Sequence, residues 1–141
     1  MTSPDPAAEG RRRADEFLTL LGQDDDAATA LLDGVDGVRD LVFLGAGLTA
    51  IARAEARSLP PAQRAQANTR QVRLGEFRDA NRSNPDGLRL WLRQAGEEIV
   101  LIRSQQAVAD RVHAEAQDRT ALRAAAEASG TAAASSAPTT T

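Results

Sequence analysis

No cysteine, no lysine and no tyrosine occur among the 141 residues, and the aromatic groups are one tryptophan and three phenylalanines. Without cysteine there is neither a disulfide framework nor a thiolate metal site, which fits the expectation of a cytoplasmic location. Without lysine, all 17 basic residues are arginine. Together with the abundant alanine, this points to a GC-rich coding sequence of bacterial or phage type. So few aromatics leave little surface on which nucleic-acid bases could stack. Long hydrophobic runs are missing too. The longest uncharged apolar stretch, residues 41–52, has twelve residues, whereas a membrane-spanning helix needs about 17 to 25. No membrane partner is expected. Arg11, Arg12 and Arg13 ahead of Phe17 and Leu18 have the outline of a twin-arginine export signal. Asp15 and Glu16 interrupt it, and Gln23-Asp24-Asp25-Asp26 replaces the apolar segment such a signal requires, so no signal peptide is expected.

The apolar run 41–52 is the stretch around which the chain is organised. Gly45-Ala46-Gly47-Leu48-Thr49-Ala50 within it fits the glycine-rich turn of a dinucleotide fold. That turn demands a following strand ending in an acid about 20 residues on. The sequence there is Pro60-Pro61-Ala62-Gln63, which is no buried strand. A buried helix over residues 35–57 is the better reading, with Val38, Leu41, Val42, Leu48 and Ala52 at helical spacing. Phe43, Ala46, Ala50 and Ala54 lie on its other side, so the helix is expected to be covered nearly all round. Gly45 and Gly47, with Ala46 and Ala50, would then form a small-residue patch for another helix.

Other helices follow in order. Asp5 and Pro6 suit an N-cap and first turn, opening a helix to about residue 21 with Ala14, Phe17, Leu18 and Leu21 as its stripe. Asp24-Asp25-Asp26 fails as a calcium loop, because Thr29 and Val35 stand where glycine and glutamate are needed. It reads instead as the acidic start of a short helix ending near Gly34. Pro60 and Pro61 stop the central helix. Residues 62–82 are polar, arginine-rich and expected to be helical, and residues 81–87 form a turn. From Leu88 a long amphipathic helix runs to about Glu127. Its seam of Leu88, Leu92, Ala95, Ile99 and Ile102 gives way to Gln106, Ala109 and His113, with Val108 and Val112 offering a shallower contact. The expectation is an all-α protein, a small bundle of about four helices with one long C-terminal helix. Residues 1–5 form a disordered N-terminus, 6–127 a single helical domain, and 128–141 a disordered tail.

Catalytic groups are sparse. His113 is the only histidine, and no serine sits in a nucleophile elbow with a base. Glu97 and Glu98 are adjacent, so on a helix they diverge by about 100° and do not form a dyad. The expectation is a non-enzymatic protein, with no cofactor and no metal, that acts through protein–protein contact or self-association. Trp91, Gly45 and Gly47 are the candidate contact residues, tryptophan being frequent at interface hot spots. The alternative is a regulator that binds nucleic acid. Residues 61–93 carry seven arginines against three acids, while residues 1–60 carry six against eleven. Arg64, Arg70, Arg73, Arg78 and Arg82 would provide that phosphate contact.

Overall fold

The computed structural model describes the backbone of residues 5–135 and the side chains of residues 5–130. These residues form five α-helices and no strand: α1 Pro6–Gln23, α2 Asp25–Asp33, α3 Val38–Ala56, α4 Pro61–Ala80 and α5 Pro85–Ser135. Two compact units divide the chain, Met1–Gln106 and Ala107–Thr141. The boundary falls inside α5, and each unit is described separately.

The first unit holds the whole buried core. Its largest fully buried side chains are Phe17 of α1, Leu41, Leu44 and Leu48 of α3, and Leu88, Leu92, Ile99 and Ile102 of α5. Local chemistry sets the helix starts. Asp5 caps α1 by accepting from the Ala7 amide at 3.1 Å, and Asp24 caps α2 by accepting from the Ala27 amide at 3.1 Å. The aspartate triplet is thus a helix start, with Asp25 and Asp26 in the first turn of α2. Between α2 and α3, Gly37 has φ of +84°, a left-handed value that glycine adopts without steric cost. That turn starts the central helix at Val38 rather than at residue 35 and separates it from α2. Val35 tucks into the core ahead of it. At the other end, α5 begins at Pro85, whose fixed φ suits a first helical position. The seven-residue turn expected over 81–87 is therefore shorter.

Helix α3 is covered on one side only, and this corrects the reading of a helix buried all round. Leu41, Leu44, Gly45, Gly47, Leu48, Ile51, Ala52 and Ala56 face inward, while Val42, Ala46, Ala50 and Ala54 are exposed. The small-residue patch divides accordingly. A Cβ on Gly47 would lie 3.1 Å from the Ala14 Cβ and 3.1 Å from the Arg11 Cα, and one on Gly10 would reach 2.5 Å from the Phe43 carbonyl oxygen. Helices α1 and α3 therefore cross with backbones in close contact. Gly45 faces elsewhere: a Cβ there would overlap the outer edge of the Trp91 ring on α5.

Helix α4 buries only Ala67 completely, with Leu74 and Phe77 packed partly against the core. Its firmest tie is polar. Glu98 on α5 is 7% exposed and accepts from Arg70 Nε at 2.8 and 2.7 Å through its two oxygens. A carboxylate buried to that degree requires such a cation.

The described part of the second unit is a single helical segment. From Ala107 to Gly130 every residue but Ala109 is exposed. The helical backbone continues to Ser135, past residue 128, where the tail was expected to begin. Alanine, the strongest helix former, supplies the local reason. Residues 1–4 and 136–141, the remainder of the two segments expected to be disordered, lie outside the described residues.

Candidate functional site

Trp91, Gly45 and Gly47, the residues expected to meet a partner, are all buried in the first unit. Trp91 retains 3% of its surface and fills the gap left by the missing side chain at Gly45. The guanidinium of Arg78 covers the ring, 5.9 Å from its centroid. Gly45 and Trp91 join α3 to α5, Gly47 lies against α1, and all three are enclosed. Tryptophan beside a core seam is equally compatible with core and interface, and sequence alone does not separate the two.

The arginines of the middle segment are largely engaged within the fold. Arg70 holds Glu98. Arg78 covers Trp91 and donates to Asp79 at 3.2 Å, and Arg82 lies 3.7 Å from the same carboxylate. Arg89 donates to the Leu32 and Val35 carbonyl oxygens at 3.1 Å each, satisfying groups at the C-terminal end of α2. Arg93 donates to Thr29 Oγ1 at 2.7 Å and also pairs with Asp25. Among the described residues, Arg64 and Arg73 alone of this set have no ion-pair or hydrogen-bond partner.

These cations also fail to form one face. Arg70 and Arg73 line a cleft between α4 and α5 that contains Glu97 and Glu98. Arg78 lines a different cavity, of about 360 Å³, between α3 and α4 with Arg53, Asn68, Gln71 and Trp91. A phosphate backbone approaching the first cleft would meet carboxylates as well as guanidinium groups.

Groups suited to catalysis lie apart. Glu97 is exposed and sits 3.6 Å from Arg93, whereas Glu98 is buried on Arg70. His113 is exposed and contacts Gln117 at 3.1 Å. Among the described residues, no group of three or more His, Cys, Asp or Glu side chains could hold a metal ion, and no helix is long and apolar enough to cross a membrane.

The remaining surface of interest is the second unit. Val108, Val112 and Leu122 are 46%, 55% and 70% exposed. A helix in water ordinarily turns such groups toward a neighbour. With Glu115, Arg119 and Ala126 they occupy positions spaced by alternating fours and threes. At 100° per residue the six fall in a stripe about 80° wide. Neither Glu115 nor Arg119 has an ion-pair or hydrogen-bond partner among the described residues. His113 and Gln117 lie on the opposite side of the helix.

The described residues define an all-α protein, with a helical core in the first unit and an exposed helical segment in the second. No family model, no curated protein and no solved structure matches the chain.

Proposed function

We propose that this chain is a non-enzymatic helical protein that acts through protein–protein contact, and that the helical segment 107–130 makes that contact. The observation that supports the reading is the exposure of every residue of this segment but Ala109, together with its apolar stripe of Val108, Val112 and Leu122. Isolated helices gain little stability from propensity alone, and most helical stability in proteins comes from packing an amphipathic face. A stripe of branched apolar side chains on such a segment gains by being covered.

The nucleic-acid reading draws less support. Arg70 and Arg78 serve as ties inside the first unit, and the cleft holding Arg70 and Arg73 also holds two glutamates.

The test compares the full chain with one ending at Gln106. Among the described residues, every buried apolar residue of the core lies between Ala14 and Ile102, so the shortened chain should keep a cooperative melt at an unchanged midpoint. It should lose any association that the full chain shows by sedimentation or light scattering. Association that persists in the shortened chain would place the contact elsewhere and overturn this reading.

A further inference from the structure

The stripe on residues 107–130 matches itself when reversed. Gln117 lies midway between Glu115 and Arg119, two residues from each, midway between Val112 and Leu122, five from each, and midway between Val108 and Ala126, nine from each. In two antiparallel helices related by a twofold axis at Gln117, residues equidistant from that position face each other. Each central layer then pairs Glu115 with Arg119 of the second copy. The next layers pair Val112 with Leu122, and the outer ones Val108 with Ala126. Opposite charges meet at the centre and apolar groups meet on both sides. A parallel pairing has no such match, because Glu115 would face Glu115 and Arg119 would face Arg119.

We propose that two copies of this chain associate through an antiparallel pairing of their 107–130 helices about Gln117, with Glu115 of each facing Arg119 of the other. The inference rests on the contact reading above and adds the identity and orientation of the partner. Three observations support it. The stripe is exposed throughout, its two central charges lack partners, and its sequence is complementary under reversal. An isologous contact of this kind is the commonest way for identical chains to associate, because it closes upon itself. Asp118 flanks the stripe next to the axis, where the two copies bring like charges near each other. This moderates the association, which should be a concentration-dependent monomer–dimer equilibrium.

The experiment uses the full chain and four sequences: wild type, Glu115→Arg, Arg119→Glu and the double exchange. Sedimentation equilibrium should find dimerisation in the wild type. Each single exchange sets like charges opposite each other and should weaken it about tenfold or more. The double exchange reverses both charges together and should restore it. All of these positions are exposed, and circular dichroism of each variant checks that the helix content is kept.

The absence of native cysteine permits a second measurement of orientation. A mixture of Val108→Cys and Ala126→Cys chains should form mixed disulfides. Val108→Cys alone should not, since its two copies would sit about 27 Å apart along the paired helices. Three results would overturn the proposal: double exchange without restoration, single exchanges without effect, or ready crosslinking of Val108→Cys with itself. A chain that stays monomeric while another protein protects residues 107–130 from hydrogen exchange would also overturn it, yet leave the contact reading standing. Failure of both would appear as a monomer whose 107–130 segment no partner protects.

Discussion

At Gly45 the difference between hydrogen and methyl decides whether α3 and α5 fit. A Cβ there overlaps the Trp91 ring, which is enclosed and covered by Arg78. Gly45→Ala should therefore destabilise the protein by about 1 to 3 kcal/mol through overpacking, although alanine is the better helix former. Ala46→Leu, one position on, points to solvent and should change stability by less than about 0.5 kcal/mol. Urea melts of the two variants give the comparison, and an equal loss in both would contradict this assignment of faces. Arg70 poses a related test. An exposed arginine could be changed to glutamine at little cost, but Arg70 neutralises a carboxylate that is 7% exposed. Arg70→Gln should cost about 3 kcal/mol by leaving Glu98 buried without its cation. Adding Glu98→Gln should recover much of that loss, because the charge is then gone as well. Arg73→Gln, which breaks no ion pair or side-chain hydrogen bond, should melt like the wild type.

The five helices differ in how they are held. Helices α1 and α3 meet through glycine at close range. Helix α2 and the turn after it are joined to α5 by Arg89, which donates to the Leu32 and Val35 carbonyl oxygens, and by Arg93, which donates to Thr29. Helix α4 is held by the buried Ala67, the partly buried Leu74 and Phe77, the Arg70–Glu98 ion pair and the contact of Arg78 with Trp91. Amide hydrogen exchange should follow this order, because local opening requires the least where few apolar contacts are lost. The α5 amides at Leu92, Ile99 and Ile102 should be the slowest, those of α4 intermediate, and those beyond Val108 fast in dilute monomer. Slowing of that last group with rising protein concentration would report its association directly. Equal protection along the whole of α5 in dilute solution would count against an exposed second segment.

For the whole molecule, periodicity was informative where burial is one-sided and long. The seam Leu88, Leu92, Ala95, Ile99 and Ile102 is buried as its spacing predicts, and the all-α class follows from such patterns. Cap chemistry likewise located the start of α1, and the acidic triplet that of α2. The side of α3 left exposed was not legible, because alanine and glycine satisfy a buried face and a bare one equally. Nor was the role of the arginines. A run of cations looks alike whether it meets solvent, a phosphate or a carboxylate 28 positions away, as Arg70 does. The sequence marked Gly45 as part of a small-residue patch for another helix and Trp91 as a contact for a partner. It carried no sign that each would pack against the other. Glu115 and Arg119 went unremarked because their spacing is ordinary within one helix, and their match emerges only when the segment is set against its own reverse.

The position of Trp91 has a spectroscopic consequence. With no tyrosine in the chain, ultraviolet emission comes almost wholly from this indole, enclosed where α3, α4 and α5 meet and capped by a guanidinium. Its emission should be blue-shifted in the folded chain and move to the red once α3 separates from α5. Changes confined to residues 107–130 should leave that colour untouched. One intrinsic fluorophore therefore tells a variant that has lost its fold from one that has only lost its company, in the same cuvette and without a label.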